Sequence, residues 1–155
     1  MDERTPAGAN STVSRDEGSP TANTATPILL AAGAGTRFRD VGHKLLATLP
    51  ATSTRPSERV ITRCVAIARA AALGPVVVVT GKLDADELGL VESADEPNGL
   101  VLVHNHDWLD GQMASVRTGL SIAEQHDSEI AVVGLADQPG IEPSAWRAVA
   151  AAAGE

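Results

Sequence analysis

The chain contains no tyrosine, and Phe38, Trp108 and Trp146 are its whole aromatic set. A surface of rings on which unpaired RNA bases stack is therefore excluded, and any core must be assembled from Val, Leu, Ile and Ala. Its one cysteine, Cys64, rules out an intrachain disulfide and a cysteine-rich zinc site, and fits a reducing compartment. Positive charge is also short: 12 Lys and Arg against 20 Asp and Glu leave a formal net charge of -8. Such a chain repels nucleic-acid backbones and acidic membranes, so neither is expected as a partner, and a bound phosphate needs a local device to hold it. No apolar run approaches the roughly 18 residues of a membrane span. Residues 1–26 carry no apolar stretch of the kind a secretory signal needs. The expectation is a soluble, cytoplasmic protein.

What is present is a 155-residue chain, 43% apolar, enough for one domain with a sizeable core. Residues 1–26 are rich in Thr, Ser, Ala, Asn, Gly and Pro, with Val13 the only large aliphatic. That composition cannot offset its own ordering entropy, so it reads as a disordered leader before a domain spanning 27–155. From Pro27 onward, short apolar runs alternate with helical patterns. Strands are expected at 27–31, 75–80, 100–104 and 129–135, and helices at 57–73, 111–125 and 143–153, with a further short one at 84–90. Val60, Cys64, Ile67 and Ala71 form one apolar stripe at helical spacing, and Met113, Val116 and Leu120 another. Continuous apolarity in the strands implies burial on both faces. The polar stretch 51–59 reads as a loop. The predicted fold class is α/β: a three-layer α/β/α Rossmann-like sandwich with a mostly parallel sheet, in which ligands collect at the C-terminal strand ends.

Chemistry is therefore to be sought just after each strand. The first is followed by Ala31-Ala32-Gly33-Ala34-Gly35-Thr36-Arg37-Phe38 and then Lys44. Small residues let backbone amides approach an anion, and the two cations supply charge that the chain otherwise lacks. A Walker A loop would need a Gly-Lys-Ser/Thr ending, and a dinucleotide fingerprint a third glycine where Phe38 stands. A flexible glycine turn with two surface cations is the plainer alternative. The third strand leads through Asn105 and Trp108 to Gly111, which permits a tight turn into a helix carrying Ser115, Gly119 and Leu120. A capped helix with Trp108 plugging the core accounts for Gly111 and Trp108, but not for Asn105 and Ser115 together. The fourth strand runs into Asp137-Gln138-Pro139. A carboxylate directly after a buried strand is costly without a cation opposite, and Mg²⁺ is the usual partner in phosphoryl chemistry, with a turn-capping aspartate as the alternative. His104 and His106 share a strand face but lack an evident third metal ligand, Cys64 reads as a small core residue, and the acids from Asp84 to Glu96 read as solvated surface.

On these three segments the sequence resembles the MobA/MocA-like nucleotidyltransferases, which attach a nucleotide to the phosphate of molybdopterin. More widely, the first loop is similar to the Leu-Ala-Ala-Gly-x-Gly-x-Arg loop of sugar-phosphate nucleotidyltransferases. The Asn-x-x-Trp-x-x-Gly-x-x-x-Ser-x-x-x-Gly-Leu pattern is matched by Asn105, Trp108, Gly111, Ser115, Gly119 and Leu120, and the Asp-Gln-Pro triplet looks like the family's metal-binding aspartate. The resemblance implies a nucleotide-diphospho-sugar-transferase-like fold and Mg²⁺-dependent transfer from a nucleoside triphosphate, CTP or GTP, to a molybdopterin-like acceptor. The backbone of Ala32, Gly33, Ala34, Gly35 and Thr36, with Arg37, would meet the β- and γ-phosphates and Lys44 the α-phosphate, while Asp137 would hold Mg²⁺. Leu30, Ala31 and Thr80 would lie near base and ribose, and Asn105, Gly111 and Ser115 would position nucleotide or acceptor.

Two departures bear on activity. Residues 38–43, Phe-Arg-Asp-Val-Gly-His, replace the family's usual Met-Gly start. Family members also continue beyond the point where this chain stops, so the domain is expected to be incomplete at its C-terminus, with an exposed sheet edge favouring a homodimer. Two alternatives stand beside transferase activity: an NAD(P)H oxidoreductase resembling nicotine blue reductase, and a truncated nucleotide-binding module without catalysis.

Overall fold

The computed structural model describes residues 25–35 and 42–154. The leader as far as residue 24, and Thr36, Arg37 and Phe38 of the glycine segment, lie outside the described residues.

Four parallel strands form the main sheet: β1 (Ala25–Leu30), β4 (Val76–Thr80), β5 (Leu100–His104) and β6 (Ile130–Leu135), in the order β5-β4-β1-β6. A two-stranded antiparallel ribbon, β2 (Thr48–Leu49) and β3 (Glu58–Arg59), lies apart from it. The helices are α1 (Val60–Ala70), α2 (Ala85–Leu88), α3 (Gln112–Gln125) and α4 (Pro143–Ala153). The fold is α/β with a parallel sheet, as expected, and each long predicted element is found within a few residues of its place. β1 begins at Ala25, two residues ahead of Pro27, because Ala25 and Thr26 pair with Ile130 and Ala131 of β6. The helix expected from residue 57 starts at Val60, since Glu58 and Arg59 are taken into the ribbon.

Layering follows from strand geometry: successive side chains alternate between faces. In β1 and β4, Leu29, Val76 and Val78 join a cluster with Ile61, Cys64 and Ala68 of α1 and Trp146 of α4. Ile28, Val77 and Val79 join a second cluster with Ala123 and Val116 of α3. These two central strands are buried along their whole length, whereas β5 and β6, at the sheet's edges, are only partly so. Double-sided burial therefore holds for the centre and not for the edges.

The stripe on α1 is buried as the spacing predicts, but α3 corrects its own. Met113 is 61% exposed and Leu120 37%, while Ser115, Gly119 and Ala123 are the buried positions. The cause is close approach: a Cβ on Gly119 would come within 2.5 Å of Ile28 Cγ2, so α3 rests on the sheet through its smallest side chains. A similar contact seats α4, where Trp146 covers Gly134 so closely that a Cβ there would lie 2.6 Å from the indole.

The strand order reverses between β1 and β6, the position at which open parallel sheets bind ligands. Backbone pairing runs one residue past the strands: Ala31 donates to the Val79 carbonyl at 2.8 Å and Ala136 to that of Leu30 at 3.1 Å. The glycine loop and Asp137 therefore leave the sheet side by side.

Candidate functional site

After β1 the chain passes through Ala31 to Gly35, with Gly35 at a left-handed φ of 62°. Among the described residues, the amides of Gly33, Ala34 and Gly35 donate to no partner, as an anion cradle requires. The loop is held from one side by His43, whose Nε2 lies 2.8 Å from the Gly33 carbonyl. Its Nδ1 accepts from the Leu45 amide at 3.3 Å, capping the single 3-10 turn Lys44–Leu46. That turn aims Lys44 across the gap, where Nζ donates to Asp137 Oδ2 at 3.0 Å.

Asp137 follows the end of β6 directly. Its Oδ1 is buried and, among the described residues, has no hydrogen-bond partner. Lys44 stands opposite one oxygen of this carboxylate, while the other has no partner among the described residues. Beneath it lies Cys64 of α1, only 3% exposed. Burial pushes this thiol up to about 11, with the Gln138 backbone hydrogen bond opposing and the Asp137 charge adding to the shift. A neutral thiol there adds no second negative charge near Asp137.

The third wall is the segment after β5. A 3-10 turn, Trp108–Asp110, leads into Gly111 at φ 100°, from which α3 starts with no side-chain cap, so its first amides remain available. Gly81 admits Trp108 here: a Cβ would meet Trp108 Cβ at 2.7 Å and Ala32 Cβ at 2.6 Å. Together these segments enclose a cavity of about 360 Å³. Leu30, Ala31, Leu135, Trp108 and Leu109 supply apolar wall, and Lys44 and Asp137 the charged end.

Of the residues expected at the site, Leu30, Ala31, Ala32, Gly33, Ala34, Gly35, Lys44, Gly111, Ser115 and Asp137 line this one cavity. Arg37 and Thr36 lie outside the described residues. Thr80 and Asn105 are not among its lining residues. Thr80 is buried, with Oγ1 3.1 Å from His104 Nδ1, and faces a smaller depression that includes Asp84 and Asp86. Asn105 is 4% exposed and donates through Nδ2 to Ser115 Oγ at 3.0 Å, while its Oδ1 accepts from the Asp107 amide. Asn105 and Ser115 are thus joined to each other by a buried side-chain bond. His104 and His106 meet edge to face at 4.7 Å, and no cluster of three metal-ligating side chains exists among the described residues. His43 went unrecognised as a site residue, since its two hydrogen bonds to backbone leave no pattern in sequence.

The family model of the MobA-like NTP transferase domain matches residues 27–155. No curated protein is significantly similar to the chain in sequence. Among solved structures it is similar to a nucleotidyl transferase from Methanothermobacter thermautotroptrophicus (Mth528), with a TM-score of 0.62 and 26% identity over 84% of this chain and 58% of that one. It is also similar to a homolog of Rv0371c from Mycobacterium sp. strain JC1, with a TM-score of 0.59 and 27% identity over 83% of this chain and 59% of that one. The fold recurs in Mycobacterium tuberculosis Rv0371c, solved as a manganese complex, with a TM-score of 0.52 and 21% identity over 81% of this chain and 57% of that one. The chain thus spans less than two thirds of the length of each of these structures. With a family match over nearly the whole described fold, and the glycine loop, Lys44 and Asp137 gathered into one cavity, the chain belongs to the MobA-like NTP transferase domain family.

Proposed function

We propose that the chain carries out nucleotidyl transfer from a nucleoside triphosphate, CTP or GTP, to a phosphorylated acceptor of the molybdopterin type, in the cytoplasm. The observation that carries this reading is the convergence of Lys44 and Asp137 beside unpartnered glycine-loop amides. The acceptor's phosphate oxygen attacks the α-phosphorus in line, and pyrophosphate leaves. Little covalent chemistry falls to the protein, so its contribution is alignment and neutralisation of charge.

The amides of Gly33, Ala34 and Gly35, with Arg37, receive the β- and γ-phosphates. Lys44 faces the α-phosphate, where negative charge grows in the transition state. Leu30 and Ala31 supply apolar wall for base and ribose, and the open start of α3 at Gly111 faces a second anionic group, the acceptor phosphate. Thr80 and Asn105 keep the strand ends in place.

The buried, unpartnered Oδ1 of Asp137 fits a divalent cation, Mg²⁺ in this proposal. Mg²⁺ commonly binds through one or two carboxylates plus substrate phosphates, so a single acidic ligand is sufficient. When bound it would neutralise triphosphate oxygens and the leaving pyrophosphate. Asp137 holds the position, and Lys44 holds the carboxylate's other oxygen.

Pyrophosphate release measured with CTP, GTP and ATP, with and without molybdopterin and Mg²⁺, tests the proposal. Release that needs nucleotide, acceptor and Mg²⁺ together supports it. Measurable triphosphate binding without release under any combination replaces it with a nucleotide-binding module, and NAD(P)H binding without triphosphate binding replaces it with an oxidoreductase.

A further inference from the structure

The segment from Phe38 to His43 departs from the family's usual start, and His43, directly before Lys44, does something there that sequence does not announce. A carbonyl can only accept a hydrogen bond and an amide can only donate one. The Gly33 carbonyl at 2.8 Å therefore requires a proton on Nε2, and the Leu45 amide at 3.3 Å requires a bare Nδ1. The two partners together fix one neutral tautomer. The ring also fills the space beside Gly35, where a Cβ would lie 3.2 Å from Cδ2 and Nε2.

The consequence reaches the amides. In a planar trans peptide, C=O and N–H point in opposite directions. Anchoring the Gly33 carbonyl on His43 therefore fixes the Ala34 N–H away from the ring. Through Nδ1 the same ring caps the turn that begins at Lys44. One side chain ties the amide cradle to the lysine across ten residues of sequence.

We propose that His43, in the wall of the cavity, is a positioning residue for the triphosphate: with both ring nitrogens taken up by backbone partners, it acts by setting the peptide orientation of the glycine loop and the placement of Lys44. The proposal rests on the nucleotidyl-transfer reading of the cavity.

Two conservative variants separate the ring's two bonds. The amide nitrogen of Gln reaches where Nε2 sits, and the oxygen of Asn where Nδ1 sits. His43→Gln keeps the Gly33 bond and loses the cap; His43→Asn does the reverse. Calorimetric titration with Mg²⁺-CTP and Mg²⁺-GTP is expected to give dissociation constants about fivefold to tenfold weaker for H43N, the scale of one lost hydrogen bond, and close to wild type for H43Q, whose lost cap at Lys44 lowers kcat instead. Cytidine and guanosine, lacking phosphates, bind all three proteins alike. Thermal midpoints of the two variants stay within a few degrees of wild type, whereas a general loss of structure would lower them much further. In the nucleotide-free protein, imidazole ¹⁵N shifts read Nε2 as protonated, and the Gly33–Gly35 amide resonances move in H43N far more than in H43Q.

Triphosphate binding by H43N equal to wild type overturns the role of His43 alone. A wild-type ring protonated on Nδ1 does the same. Wild-type protein that binds no triphosphate, with the Nε2 tautomer intact, overturns the transferase reading together with any role of His43 toward nucleotide, and leaves the loop anchor itself standing.

Discussion

Lys44 Nζ stands 3.0 Å from Asp137 Oδ2, across 93 residues of sequence. Both side chains are about two-fifths exposed, so water screens the pair and its contribution to stability is small. Its significance lies in where it stands: one cation and one half-satisfied carboxylate at the reversal point of the sheet. Lys44 occupies one oxygen of Asp137, and in the proposed reaction the same ammonium serves the α-phosphate.

Replacing Asp137 by Asn keeps the shape and removes the charge. Divalent-dependent pyrophosphate release is expected to fall by about 10²-fold to 10³-fold, the range for loss of one transition-state electrostatic partner. Release assays across a Mg²⁺ titration check this, and an unchanged rate removes Asp137 from the metal position.

Lys44→Ala is expected to lower kcat by about 10²-fold while KM for the nucleotide changes by less than about tenfold, because charge at the α-phosphate grows only in the transition state. Steady-state kinetics at saturating acceptor separate the two parameters. An effect confined to KM assigns Lys44 to ground-state binding instead.

Asn105→Ala breaks a buried bond to Ser115 and is expected to destabilise the fold by about 1–3 kcal/mol. Urea unfolding measures it. Nucleotide affinity, titrated well below the melting transition, should stay within about twofold of wild type; a larger loss places Asn105 at the ligand.

Gly119→Ala inserts a methyl where Ile28 Cγ2 stands at 2.5 Å. Overpacking against a fully buried strand is expected to cost about 1–3 kcal/mol. Chemical denaturation of G119A and of the double variant G119A/I28V tests it, since trimming Ile28 should recover part of the loss.

Cys64 gives a pH signature. Its thiol lies near 11 in the folded protein against an ordinary 9.0, so between those values the unfolded chain loses a proton that the folded chain keeps. The unfolded state then binds fewer protons, and stability falls as pH rises, by up to about 1.4 kcal/mol per pH unit from this group. Below pH 9 the thiol is protonated in both states and contributes no slope. Unfolding of wild type and Cys64→Ala compared from pH 8 to 11 isolates the effect, which the variant should lack.

How much of this was legible in the sequence depends on how local the cause is. The apolar runs of β1 and β4 and the stripe on α1 announce themselves, because burial on both faces or one leaves a period in the residues. The stripe on α3 misled: Met113 and Leu120 look like core, yet helix and sheet approach so closely that only Ser115, Gly119 and Ala123 fit between them. The short ribbon β2–β3 left no signal, since two-residue strands have no periodicity to read. That Lys44 and Asp137 meet in one cavity follows from the strand ends and the scarcity of positive charge. The place of His43 is not legible, because its partners are backbone atoms that every residue possesses, nor are the side-chain partners of Thr80 and Asn105, which come from neighbouring elements.

The pairing of β1 with β6 sets a timetable for the newly made chain. Ala25 finds Ile130, and Leu30 finds Leu135, only after some hundred intervening residues have been synthesised. Such distant pairings close slowly. The glycine loop is thus translated long before Asp137 exists to face it, and assembly of the charged end of the cavity coincides with the late docking of one strand.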